Sequence, residues 1–164
     1  MSVFAVAVGE RLDMTFEELI RLRQAASLHD IGKMHVDPAI LRKSGELSPE
    51  ELSDLRMHAD KARTVIESLN WLAPIMPMIT HHHERWDGFG YPDGLAGEAI
   101  PLGARIIAVA EAFDTLTGAL CWRHSVEEEH ALEEIRKGAG TQFDPRIVDT
   151  FLEIQPLVQP ILGA

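Results

Sequence analysis

An all-α fold is what this chain predicts, on two grounds. Segment after segment opens on a helix-capping signal and then carries apolar residues at helical spacing. Clear period-two runs, the mark of a half-buried strand, are absent. The expected architecture is a helical bundle, one domain over residues 1–164, with its chemistry at the centre of the bundle.

Composition bounds the function. The chain has 164 residues, 46% of them hydrophobic, enough for a real core. No apolar stretch reaches the roughly 18 residues of a membrane span, and no basic region precedes the first apolar residues as in a signal peptide. A single cysteine, Cys121, excludes a disulfide framework and fits a reducing cytoplasm. The net charge of −11 argues against DNA, RNA or anionic membranes as broad partners. A small anionic substrate stays open, because bound divalent cations dominate their local field.

The elements follow in order. Residues 1–12, with the apolar run from Val3 to Val8, read as the tail of a helix, and the chain is expected to be truncated at its start. Thr15 and Glu18 form a capping box ahead of Phe16, Leu19, Ile20, Leu22, Ala25, Ala26 and Leu28, with Gly32 as the expected stop. Asp30 then sits at the negative end of a helix dipole, a strain that a nearby cation relieves. Asp37-Pro38 opens a short helix to about Lys43. Ser48, Pro49 and Glu51 open the next, to about Leu69, with His58 on its apolar face. Another helix spans about Ala73 to His83, where Pro77 can kink it. Asp87 to Gly103 holds five glycines and two prolines, and no regular element is expected there. So long a loop in a compact domain is usually functional. Arg105 to about Ala119 is helical, with Glu111 and Asp114 together at one edge of the buried stripe. Ser125 and Glu128 cap a helix to about Lys137, and Asp144-Pro145 starts the last one, to about Ile154.

The strongest chemical signal is His81-His82-His83-Glu84 at the mouth of the glycine-rich loop. Imidazole is the commonest side-chain metal ligand at neutral pH. Adjacent helical residues point about 100° apart, so His82 and His83 are expected to serve two neighbouring ions, as a multi-metal hydrolytic site requires. Taken singly, the other candidates have plain readings. His29-Asp30 is equally a polar helix end, His58 a satisfied core histidine, and the Glu111 and Asp114 carboxylates partners of an arginine.

Together, His29-Asp30-Ile31-Gly32-Lys33, the stretch from His82 to Gly94, the stretch from Ile100 to Ala110, and Gln142-Phe143-Asp144-Pro145 resemble the HD-GYP family, a branch of the HD superfamily of metal-dependent phosphohydrolases. The resemblance runs from about Leu12 to the last helix. It implies an HD-type helical bundle with a long GYP loop. It also implies a bacterial phosphodiesterase that opens cyclic di-GMP to linear pGpG, and often on to GMP. Two or three divalent ions, iron or manganese, are implied. His29, Asp30, His58, His82 and His83 match their ligand positions, with Asp30 bridging, and Glu111 stands where the family has an aspartate ligand. Such a mixed histidine and carboxylate set suits these metals. Lys33 matches a phosphate-contacting lysine, so Asp30 and Lys33 carry the catalytic role, with Lys33 offsetting charge on the phosphoryl oxygens during in-line attack. Tyr91 matches the loop tyrosine beside the substrate. Arg105 and Asp114 match positions supporting the site or the nucleotide. The implied partners are cyclic di-GMP and, through the GYP loop, diguanylate cyclase domains, with a sensor or receiver domain lost upstream.

Three features depart from the family pattern. Residues 1–28 hold no histidine, where the family has a first-helix ligand. Glu111 replaces aspartate, and Leu120-Cys121-Trp122 stands in place of Arg-Pro-Tyr, with Arg123 beside it as a partial substitute. Two readings therefore stand beside the active enzyme: a degenerate module that binds nucleotide or a partner protein without turnover, and an HD phosphohydrolase acting on another nucleotide.

Overall fold

The structure, a computed structural model, describes residues 1–67, 69–118 and 127–162. It is all-α, as the capping signals require. No strand occurs among the described residues, and the one β-bridge pairs Ala139 with Phe143. The helices are α1 (Ser2–Arg11), α2 (Phe16–Leu28), α3 (Pro38–Leu41), α4 (Pro49–Arg56), α5 (His58–Glu67), α6 (Met76–Thr80), α7 (Leu102–Thr117), α8 (Glu128–Lys137) and α9 (Pro145–Leu162).

Three of the helix starts that the sequence marks with a cap form as marked, whereas α6, α7 and α8 begin at Met76, Leu102 and Glu128 rather than at Ala73, Arg105 and just after Ser125. Both capping boxes close: Thr15 with Glu18, and Ser48 with Glu51. The Asp37 carboxylate accepts from the Ala39 N–H at 2.7 Å, satisfying one of the orphan donors of α3. At the centre, α1 packs against α2, α7 and α9. Phe4, Phe113 and Phe151 meet there, with ring centres 5.2 to 5.5 Å apart. Fully burying a side chain of this size contributes about 1.5–3 kcal/mol, so this trio ties three helices into one core.

The helix ends differ more, and each difference bears on the site. The second helix stops at Leu28, not at Gly32, and a 3-10 turn covers Ile31–His35. Gly32 serves a close crossing instead: a methyl on it would lie 1.9 Å from the His58 carbonyl oxygen and 2.8 Å from the Ala62 nitrogen. The helix expected over 48–69 is two, broken at Met57. There the Leu55 carbonyl accepts from His58 Nδ1 at 2.6 Å.

The segment expected as a helix over 73–83 is a 3-10 turn, Asn70–Ile75, followed by the short α6. Pro74 and Pro77 remove two backbone donors, and His81, His82 and His83 lie beyond the helix in a turn. The glycine-rich loop holds one 3-10 turn, Gly97–Ala99, and α7 begins at Leu102 on the Pro101 carbonyl. The last helix continues past Ile154 because Val158 extends its buried stripe. Ser125, like Leu120, Cys121, Trp122 and Arg123, lies outside the described residues.

Candidate metal centre

Three histidines reach the centre of the bundle by one local device. His29 Nδ1 faces the Ala26 carbonyl at 2.9 Å, His58 Nδ1 the Leu55 carbonyl at 2.6 Å, and His82 Nδ1 the Ile79 carbonyl at 2.6 Å. Each acceptor lies three residues back, at the end of a helix. A carbonyl only accepts, so each Nδ1 carries a proton, and whenever the ring is neutral its Nε2 holds the lone pair. Such a bond fixes both the tautomer and the ring orientation of a metal-binding histidine.

Asp30, in the turn after α2, stands among these Nε2 atoms. Its Oδ2 accepts from Lys33 Nζ at 2.6 Å and lies 3.3 Å from His29 Nε2, and its Oδ1 lies 3.5 Å from His58 Nε2. Glu111 comes in from α7, with its oxygens 3.8 Å from His29 Nε2 and 3.9 Å from His82 Nε2. His83 completes the group, its ring centre 3.9 Å from that of His82 and 5.0 Å from that of His58.

These residues form two sets of possible ligands. Asp30, His58, His82 and His83 make one, and His29, Asp30 and Glu111 the other, each with its donor atoms within 4.8 Å of one another. Asp30 belongs to both. His82 and His83 fall in the same set rather than in two. The reason is that they follow α6 in a turn, where the 100° helical rule does not apply.

The cluster fits a cation on its own chemistry. Asp30 Oδ1, His58 Nε2 and His82 Nε2 are buried without a hydrogen-bond partner. Leaving such an atom unsatisfied costs about 1–3 kcal/mol, and an ion among them satisfies all three. The protonation states agree. Burial lowers His82 to about 3 and pushes His58 and His83 down as well, so all three are neutral at pH 7, the form that a metal ligand needs. Burial works to raise Asp30, but bonding and charge from His29 and then Lys33 outweigh it and hold the carboxyl well below its usual range. Burial likewise works to lower His29, and Asp30 and Glu111 reverse it. Glu111 is raised to about 6 by burial first, against the charge of His29.

Around the cluster lie two recesses. One, of about 640 Å³, is lined by His29, Asp30, Lys33, Lys43 and Glu111. The other, of about 440 Å³, is bounded by His82, His83, Glu84 and Glu111. The glycine-rich loop forms a further wall. Tyr91 stacks on His83 with ring centres 4.9 Å apart, and the Arg56 guanidinium lies 5.4 Å from the Tyr91 ring. Burial, then the negative charge of Glu111, raises the Tyr91 hydroxyl, so it stays protonated.

The remaining predicted residues are placed differently. Arg105 pairs with the buried Asp144 at 2.7 Å and lies 5.8 Å from the Trp86 ring, joining the loop to the start of α9. Asp114 is largely exposed and accepts from the Met1 amino group at 2.8 Å. Arg123 lies outside the described residues.

Sequence reasoning missed what holds the loop down. The Asp93 carboxylate accepts from His81 Nε2 and from Arg63 Nη2, both at 2.9 Å, and the Asp93 N–H donates to the buried Glu84 at 2.7 Å. The first histidine of the run therefore anchors the loop. No local signal links Arg63 to Asp93, thirty residues on.

The family profile described as HD domain matches residues 1–147. Among curated proteins, the chain is 39% identical to the cyclic di-GMP phosphodiesterase response regulator RpfG of Xanthomonas campestris pv. campestris, over 99% of this chain and 44% of that protein. It is 34% identical to a cyclic di-GMP phosphodiesterase of Thermotoga maritima, over 90% of this chain and 41% of that protein. A 3'3'-cGAMP-specific phosphodiesterase of Vibrio cholerae is also 34% identical, over 88% of this chain and 32% of its own length. The chain spans less than half the length of these relatives. The same fold is seen in an HDGYP protein from Bdellovibrio bacteriovorus, at a TM-score of 0.76 and 20% identity over 94% of this chain and 50% of that one. A cyclic GMP-AMP specific phosphodiesterase of Vibrio cholerae shares it at a TM-score of 0.71 and 23% identity, over 94% of this chain and 42% of that one.

Proposed function

The chain belongs to the HD-domain family, in its HD-GYP branch, and on that premise we propose that it is a metal-dependent phosphodiesterase opening cyclic di-GMP to linear pGpG. One observation carries the reading: two ligand sets share Asp30, with three buried donor atoms left for a cation. Asp30 would bridge two divalent ions, with His58, His82 and His83 on one side and His29 and Glu111 on the other. Iron or manganese suits this mixture of imidazole and carboxylate. Bound ions supply Lewis acidity toward a phosphoryl oxygen and a water activated at neutral pH.

The chain's own residues do the rest. The Nδ1 bonds to carbonyls hold His29, His58 and His82 in register. Lys33, paired with Asp30 here, is the cation that would offset charge on a phosphoryl oxygen of the bound substrate. Tyr91, kept protonated, offers a hydroxyl donor from the loop wall. The exposed Phe89 at the loop tip is the natural contact for a diguanylate cyclase domain.

The test is hydrolysis of cyclic di-GMP by protein loaded with manganese, or with ferrous iron under anaerobic conditions. Appearance of pGpG, abolished by Asp30→Ala, is expected. Protein that carries its ions yet forms no pGpG overturns the proposal.

A further inference from the structure

A third recess, of about 380 Å³, opens beside Tyr91, is lined by none of the clustered histidines and has room for a purine ring. Ser53, Arg56, Met57, Asp60, Tyr91 and Pro92 line it. Its geometry is tied to the metal centre by a stack. His83, Tyr91 and the Arg56 guanidinium follow one another at 4.9 and 5.4 Å. The recess therefore shares the Tyr91 ring with a candidate ligand, His83, a separation that a nucleotide bridges with its phosphate at one end and its base at the other.

The polar groups in it are sharply typed. Arg56 is a donor only, and its guanidinium makes no ion pair among the described residues; it lies 5.4 Å from the Tyr91 ring. Asp60 is an acceptor only. Its Oδ1 lies 3.3 Å from Arg63 Nε, which leaves Oδ2 without a protein partner among the described residues. Arg63 keeps its second partner, Asp93, so Asp60 is not needed to hold the loop.

We propose that this recess is a guanine-binding subsite, in which Asp60 reads the base and the free face of Arg56 supports it. The proposal rests on the cyclic dinucleotide reading above. Guanine offers N–H donors at N1 and at its exocyclic amine, which a carboxylate accepts as a pair, and acceptors at O6 and N7 that suit a guanidinium. Adenine has a bare lone pair at N1, which repels a carboxylate. Bases stack on aromatic rings and on arginine planes, and the recess presents one of each, Tyr91 and Arg56. A site built to bond a polar group rejects an analogue that lacks it.

The experiment uses the manganese-loaded protein, with GMP and AMP as equilibrium probes and cyclic di-GMP and cyclic di-AMP as substrates. Wild type is expected to bind GMP more tightly than AMP. Asp60→Ala should weaken GMP about ten-fold, the scale of one hydrogen bond to a charged group, and leave AMP where it was. KM for cyclic di-GMP should rise in step. Asp60→Asn keeps the side-chain volume, guards against a folding artefact, and should lose the GMP preference too. Equal binding of GMP and AMP by wild type, or a ratio that survives both substitutions, overturns the subsite. If the GMP preference depends on Asp60 but no cyclic dinucleotide is cleaved, the subsite stands and the phosphodiesterase reading falls. If cleavage proceeds with a base ratio indifferent to Asp60, the reverse holds.

Discussion

Gly32 and His58 meet backbone to backbone, so closely that a methyl on Gly32 would stand 1.9 Å from the His58 carbonyl oxygen. This crossing lays the turn that carries Asp30 directly over the start of α5. It is what brings Asp30 Oδ1 to 3.5 Å from His58 Nε2.

Gly32→Ala should therefore be costly. The atoms in the way are backbone and cannot swing aside, so the turn must lift from α5. Overpacking typically costs about 1–3 kcal/mol, and backbone in the way puts this site at the upper end. Urea denaturation of the metal-free variant measures the loss. Stability within about 0.5 kcal/mol of wild type would show that the crossing is looser than this.

Glu111→Gln should stabilise the metal-free protein while weakening its hold on ions. Burial raises the Glu111 carboxyl from 4.5 to about 6. A raised acid binds its proton more tightly when folded, so stability falls as pH rises from 4.5 to about 6 and stays reduced above. The cost at pH 7 is about 2 kcal/mol. Denaturation in the presence of a chelator should show the variant more stable by that order at pH 7 and unchanged at pH 4. Stabilisation by added manganese should shrink.

The metal-free protein should lose stability on mild acidification. His58, His82 and His83 have folded values below the ordinary 6.5 because of burial. Below about pH 6.5 the unfolded chain takes up protons that the folded one refuses, so the stability present above that pH is lost as pH falls. Each such group contributes a slope of about 1.4 kcal/mol per pH unit. His29 and Glu111, both raised, act in the opposite sense. The His29 contribution is complete once pH has fallen to about 6.5, so below it three groups stand against Glu111 alone and leave a net decline between about pH 6.5 and 5. A denaturation midpoint that climbs across this interval contradicts the assignment.

Metal content should separate the two ligand sets. Asp30 is common to both, whereas His83 belongs to one and Glu111 to the other. Asp30→Asn is expected to strip both ions, while His83→Ala or Glu111→Gln each lose about one ion, since a ligand site rarely survives loss of a charge or a coordinating nitrogen. Emission spectroscopy after gel filtration gives the ratios. Full loading of the Asp30→Asn protein would remove the bridging role.

Where a side-chain cap forms, the helix start was legible, because a cap is a local chemical event. Thr15 with Glu18, Ser48 with Glu51 and Asp37 each signal within three residues, and each forms as read. The helix ends were not, since they depend on what the freed carbonyls do. Leu55 and Ile79 give theirs to imidazoles, and those bonds belong to the site rather than to helix propensity. This is also why His82 and His83 converge: the helical geometry that separates neighbours has ended before them. The site itself was legible as an ordered set of motifs, but Arg105 shows the limit of that reading. Only the fold reveals that its guanidinium is committed to Asp144.

The carbonyl bonds to His29, His58 and His82 have a kinetic side. A ring already tethered at Nδ1 has little rotational freedom left to surrender when its other nitrogen meets an ion. A chain stripped by a chelator thus keeps an imprint of the ions it has lost, written in three backbone contacts and one lysine parked on Asp30. Reloading becomes a matter of encounter and of dislodging that lysine, with no helix to rebuild. The geometry offered to an ion is in this sense set before any ion arrives.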